Sequence, residues 1–249
     1  MLALLAAAVL GAGACAPLPG VEALTGTPPH FVVVGEVHGT TETPAAFGEL
    51  VCHLAVRGPV VVALEMELDA QASLDAFMAS DGGVTAVAAL LAQRHWREPP
   101  EGLSSRAMLA LLQRLRALKR SSAPITVVAF VPNGRRLTGN TAATEAGMAS
   151  NLERVAQPGA TVLVLTGDGH ARKARGTLAT RLPSGALSLR VEAFEGGEAW
   201  NCRPEGCGPH PYDDNGWPAG LVLDPAAEPG FDGVLRLGVR TTASPPAVD

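Results

Sequence analysis

The sequence predicts an α/β fold, with a central, mostly parallel β-sheet carrying helices on both faces and a C-terminal part that is mixed or antiparallel. Two observations carry this expectation. Four apolar runs, "FVVVG" (31–35), "VVVALE" (60–65), "ITVVAF" (125–130) and "TVLVLTG" (161–167), are continuous and rich in Val, the pattern of strands covered on both faces. Segments of helical period separate them, as right-handed crossovers between parallel strands require.

The helical segments fall at 43–56, at 70–79 with 84–94, at 104–120 and at 142–156. In the third, Met108, Leu111, Leu112, Leu115 and Leu118 form one apolar stripe, and Ser104 or Ser105 can cap its start. After residue 186 the pattern shortens. "LSLRVEAF", "GLVLD" and "VLRLGV" alternate, are separated by Gly/Pro-rich turns and extend the sheet, partly antiparallel. One domain over 28–243 is expected, followed by a flexible tail at 244–249, because "TTASPPAVD" is polar and proline-bearing.

The 249 residues suffice for one sizeable core, and 47% hydrophobic with 17% charged residues describes a globular chain. A net charge of −5 gives no general attraction to phosphate backbones. The basic residues between Arg114 and Arg120 lie on an amphipathic helical pattern and read as a solvated face, so nucleic acid is not an expected partner.

Residues 1–15, "MLALLAAAVLGAGAC", read as a signal peptide: an apolar run too short to span a bilayer, ending in small residues. The ending "AGAC" resembles a bacterial lipobox, in which Cys15 would be acylated and anchor the chain to a membrane. Cleavage after Ala14 without a lipid is the alternative. Either reading places the protein outside the cytoplasm, in the bacterial periplasm or at the outer membrane. Cys202 and Cys207 enclose a Pro/Gly loop that an oxidising compartment can staple into a hairpin, with half of a zinc site as the other option. Cys52, inside a helical pattern, reads as a small buried apolar residue.

The polar residues are informative by position. Strand one ends on Glu36 and His38, strand two on Glu65 and Glu67, strand three on Asn133 and Arg135, and strand four on Asp168 and His170. In a parallel sheet these carboxyl ends share one edge, where ligands bind, so residues distant in sequence converge. Glu67 also fits the start of a solvated turn. Glu36 and Glu65, flanked by apolar residues, must each find a partner or shift in pKa.

Two chemistries suit this set. His38, Glu65 and His170 can hold a divalent metal that activates water. Without metal, a histidine can act as general base, with one carboxylate fixing its tautomer and another orienting the nucleophile. No G-x-S-x-G elbow, Walker loop or dinucleotide-binding G-x-G-x-x-G follows any strand.

These residues resemble a known superfamily. "VVVGEVHGTTETP", "VVALEMELDAQASLDAF", "ITVVAFVPNGRR", "TEAGMASNLERV", "VLVLTGDGHARK" and "GFDGVLRLGVRTTASPP" are similar, in order, to the superfamily joining ChaN-like haem-binding lipoproteins, Tiki/TraB metalloproteases and erythromycin esterases. The resemblance implies that in the esterase-like and Tiki-like branches Glu36, His38, Glu65 and His170 form the active site, or that His38, Glu65 and His170 hold a divalent metal. "GEVHGTTE" looks like the esterase branch, in which Glu42 is a further cleft acid. "LEMELDAQASLDAF", Trp96 before a helix and the lipobox-like leader look like the ChaN branch, which implies haem as cofactor and a role in iron uptake, although the one tyrosine, Tyr212, and His210 beside it sit in a Pro/Asp/Gly loop and supply no ligand set. The expected function is therefore an extracytoplasmic hydrolase acting on a small molecule or peptide, with a non-catalytic haem-binding lipoprotein as the alternative. A homodimer is compatible with both.

Overall fold

The computed structural model describes residues 15–25, 30–97, 102–134, 141–183, 185–212, 214 and 216–248. Residues 1–14 of the leader, Arg135 and Asp249 lie outside them.

Strands β1 (Phe31–Glu36), β2 (Val60–Glu67), β3 (Ile125–Val131) and β4 (Thr161–Gly167) form where the continuous apolar runs predict them. They join β5 (Leu187–Phe194), β8 (Gly220–Val222) and β9 (Gly233–Arg240) in a seven-stranded sheet of order β3-β2-β4-β1-β5-β9-β8. All neighbours are parallel except β8 with β9, so the antiparallel character expected of the C-terminal part is confined to one edge strand. A separate antiparallel hairpin, β6 (Gly197–Arg203) with β7 (Gly206–Tyr212), is stapled by the expected Cys202–Cys207 disulfide.

The helices in chain order are α1 (Glu22–Thr25), α2 (Glu42–Ala55), α3 (Gln71–Ala79), α4 (Val84–Leu91), α5 (Arg94–Arg97), α6 (Arg106–Arg120), α7 (Ala142–Val155), α8 (Asp168–Ala171) and α9 (Leu178–Arg181). Successive strand residues face opposite sides. Val32, Val34, Val62, Leu64 and Leu163 pack with Phe47, Leu74 and Leu115 of α2, α3 and α6, whereas Val33, Val61, Ala63 and Val162 pack with Met148, Leu152, Ala171 and Leu178 of α7, α8 and α9. Both faces are therefore covered, and this is why the strand sequences do not alternate. In α6 the whole predicted stripe is buried, each side chain contributing roughly 1.5–3 kcal/mol, and the Ser105 hydroxyl accepts from Met108 N at 3.3 Å.

The order of strands prepares the site. β4 lies between β1 and β2, with Val34 and Leu64 both in register with Leu165. Glu36 and Glu65 thus leave the sheet on either side of Thr166 and Gly167. Gly35 sits inside β1 rather than in a turn; a Cβ there would come within 2.6 Å of Ala171 Cβ.

Two expectations are corrected. The segment after β9 is not a frayed tail. Thr41 N donates to Thr242 O, Ser244 N to Gly39 O and Ala247 N to Ser104 O, while Ala243 and Pro246 bridge to Thr40 and Ser105. Composition alone cannot show backbone bonding of this kind. Cys15, expected to carry a lipid, is instead bonded to Cys52 on α2, and Cys52 is not an unbonded apolar residue. A Cys15 sulfur held in this disulfide is not available for a lipid thioether.

Candidate active site

At the carboxyl edge of β1, β4 and β2 the side chains of Glu36, His38, Glu65 and His170 meet. His38 Nδ1 lies 3.1 Å from Glu36 Oε1, and its Nε2 lies 3.6 Å from Glu65 Oε2. On the far side of the same carboxylate, His170 Nε2 lies 3.7 Å from Glu65 Oε1. One buried carboxylate therefore faces two histidines. Thr166 Oγ1 and Gly167 N donate to its Oε2 at 2.5 and 2.7 Å, which answers how a glutamate is accommodated at the end of a buried strand.

The two histidines differ in access. The His38 side chain is 25% exposed and that of His170 only 4%. The loop carrying His38 is held from several directions: Gly39 O accepts from Trp200 N of the hairpin and from Ser244 N of the C-terminal segment, each at 2.8 Å. Gly39 must be glycine, since its φ is +88° and a Cβ would lie 2.0 Å from Trp200 O.

Gly167 shapes the site by close approach. Its backbone is an ordinary extended one, φ −57° and ψ 145°, yet a Cβ would sit 3.1 Å from His38 Nε2. Gly167→Ala is expected to fold normally and to push the His38 ring aside by a few tenths of an ångström, which should shift the ring's NMR resonances while the melting temperature stays near wild type. Paired thermal melts and histidine NMR check both halves of the expectation.

Burial raises the Glu36 carboxyl above its ordinary 4.5, outweighing the opposing hydrogen bond and charge of His38, with nearby Glu65 adding to the rise. Its second oxygen, Oε2, is buried without a hydrogen-bond partner among the described residues. For an acid raised on folding, the stability it contributes is complete below about 4.5 and is lost as pH climbs through the raised value. Glu36→Gln keeps an acceptor for His38 and removes the ionisation. Its melting temperature is expected to gain on wild type as pH rises through that window, and parallel pH-dependent melts would reveal an unchanged difference if burial were not the cause.

The other strand-end residues do different work. Glu67 is not the start of a solvated turn: it is buried, pairs with Arg94 and accepts from Gly134 N at 3.2 Å. Asn133 Oδ1 accepts from Asp69 N at 2.9 Å and ties two loops together. Asp168 opens α8, half-buried. Glu42 accepts from Thr242 N at 2.8 Å, holding the C-terminal segment rather than serving as a cleft acid. Tyr212 ends β7 and is buried, with its hydroxyl donating to Val191 O, so it is not an exposed loop ligand for haem.

Glu145 is the site residue the sequence reading did not select. It stands in the first turn of α7, and its Oε1 lies 2.7 Å from His170 Nδ1. α7 begins where the chain leaves β3 at the same sheet edge, so a first-turn carboxylate there qualified by the same positional logic as Glu36.

Among the described residues no group of three His, Cys, Asp or Glu side chains is arranged to hold a metal ion. The two Nε2 atoms face different oxygens of Glu65, and each Nδ1 is engaged by a carboxylate.

No protein-family model matches the chain, and no curated protein does. Solved structures do. Erythromycin esterase EreC, in its open conformation, aligns with a TM-score of 0.58 at 9% identity over 88% of this chain and 87% of that one. The type III effector HopBA1 aligns with a TM-score of 0.53 at 16% identity over 93% of this chain and 100% of its own. A structure of Pasteurella multocida toxin, described as having a thiol-protease-like catalytic triad in its C-terminal region, aligns with a TM-score of 0.50 at 13% identity over 77% of this chain, which spans only 25% of the toxin's. At these identities the likeness is one of fold. It bears on the esterase part of the sequence resemblance and not on its ChaN-like or Tiki-like parts: the chain has an erythromycin esterase-like fold.

Proposed function

We propose that the protein is a hydrolase in which His38 activates water for attack on an ester. The observation that carries this reading is the disposition of one ring: Nδ1 on Glu36, Nε2 beside Glu65, and a side chain that is a quarter exposed. With Glu36 as acceptor, Nδ1 bears the hydrogen and Nε2 keeps its lone pair, as a general base needs. Glu65 orients the water from the other side.

A proton passes from water to Nε2 as the oxygen adds to the carbonyl carbon. Collapse of the tetrahedral oxyanion breaks the bond to the alkoxide, which takes the proton back from Nε2. Ester and water become acid and alcohol, and the ring returns to its starting state. The erythromycin esterase-like fold supports this reaction class. Two disulfides support an extracytoplasmic setting.

The test is turnover of p-nitrophenyl esters of graded acyl size by the purified chain, with His38→Ala alongside. Hydrolysis that depends on His38 is expected. A wild-type chain that hydrolyses none of them, or a variant that matches it, would end this reading.

A further inference from the structure

The hairpin of β6 and β7 stands apart from the seven-stranded sheet, and its own closure is weak. A two-stranded hairpin alone is at best marginally stable in water. Its turn, Pro204 and Glu205, lies between the paired residues Arg203 and Gly206. Turns of that length match the twist of the strands when the first residue, or both, has positive φ, and among the described non-glycine residues only Ser122 does. β7 also holds Gly206 and Gly208, which weaken a strand. Cys202 and Cys207 face each other beside this turn, and their disulfide closes the hairpin's free end.

The same hairpin reaches the candidate site. The outer edge of β6 donates from Glu198 N to Thr241 O at 2.9 Å and from Trp200 N to Gly39 O at 2.8 Å. Gly39 follows His38 and is packed so closely on the Trp200 carbonyl that a Cβ would not fit. The base of the hairpin is fixed without the disulfide, because Ala199 is fully buried and the Tyr212 hydroxyl donates to Val191 O. The other end is open: Cys202 lies two residues beyond Trp200, and every residue from 202 to 207 is exposed. The bond that backs the His38 loop is thus a short step from a disulfide that a reagent can meet.

We propose that the Cys202–Cys207 disulfide is a reducible switch on the His38 loop: closed, it holds the hairpin so that Trp200 N–H supports Gly39 O; open, it lets the hairpin end loosen and that support is lost. Its effect on activity rests on the hydrolase reading above. The reductant is a dithiol. One of its thiolates attacks one cysteine sulfur, the S–S bond breaks, and the other cysteine leaves as a thiolate that takes up a proton. The reductant's second thiol, deprotonated, attacks the mixed disulfide, releases the first cysteine and closes its own disulfide. Two electrons pass to the cysteine pair, and two protons end on the cysteine thiols. The other disulfide is less accessible, since Cys15 is half-buried and Cys52 buried.

The experiment follows backbone amide exchange, histidine-ring NMR and ester kinetics in the purified chain, oxidised and after dithiothreitol, beside Cys202→Ser/Cys207→Ser. The Trp200 amide is expected to exchange about tenfold faster in reduced wild type and in the variant, as local opening requires. The His38 ring resonances should shift in both, kcat should fall, and reoxidation should restore wild type. Should the variant fail to fold, reduced and reoxidised wild type carries the same comparison. Unchanged Trp200 exchange would overturn the proposal, as would faster exchange with unmoved His38 resonances or unchanged kcat. A change that the variant shows only on reduction would assign the effect to Cys15–Cys52 and overturn it too. If oxidised wild type hydrolyses no ester, the hydrolase reading fails separately, and Trp200 exchange with the His38 resonances still decides whether the disulfide governs the loop.

Discussion

His38→Ala is expected to lower ester hydrolysis by roughly 10²- to 10⁴-fold, the usual contribution of a positioned general base, equivalent to about 3–5 kcal/mol of transition-state stabilisation. The loss should appear in kcat more than in KM, because the ring acts on water and not on substrate binding. Stability should fall only modestly: buried Glu36 loses its bond to His38, but its carboxyl, already raised by burial, can take up a proton instead. The side chain is a quarter exposed, and its removal leaves Glu65 with Thr166 and Gly167 as donors. The loop itself is anchored by backbone bonds from Gly39 to Trp200 and Ser244 that do not involve the imidazole. A large fall in melting temperature would mean that His38 is primarily structural.

Glu65→Ala is expected to do the opposite in stability and the same in activity. The carboxylate is 3% exposed and stands between two histidines, a threonine hydroxyl and a backbone N–H. Removing one member of a buried charged set typically costs about 3–5 kcal/mol, a large share of a domain's roughly 5–15 kcal/mol of total stability. Urea denaturation should therefore show a midpoint far below that of wild type. Glu65→Gln, which keeps an acceptor for Thr166 and Gly167, should recover part of that stability while remaining inactive, because its amide turns a donor toward a histidine. Equal midpoints for the three proteins would contradict the central place given to this carboxylate.

Much of this was legible before the structure. Continuous runs this short and this rich in Val fit strands covered on both faces better than buried helices, so the parallel sheet and its helices followed from the pattern. Glu36, His38, Glu65 and His170 were among the eight residues picked out by position, since strand carboxyl ends share an edge whatever the strand order, and the resemblance narrowed the eight to these four. The insertion of β4 between β1 and β2, which brings Thr166 and Gly167 between the two glutamates, is a property of topology that no local pattern encodes. Glu145 was passed over because a first-turn acid also complements the helix dipole and so attracts no notice. The C-terminal segment misled for a related reason: Ser244 and Thr241 are buried through backbone bonding, not through apolar side chains. Cysteines gave a mixed lesson. Cys202 and Cys207 are close in sequence and readable as a hairpin staple, whereas the pairing of Cys15 with Cys52 joins a leader-proximal residue to a helix and has no local signature.

The most direct measurement is chemical rescue of His38→Ala, using the p-nitrophenyl ester that wild type turns over fastest. Added imidazole is expected to restore hydrolysis saturably above the uncatalysed background, since Glu36 and Glu65 remain in place to receive a free ring. His38→Ala that hydrolyses the ester at the wild-type rate without imidazole would contradict a general-base role for His38.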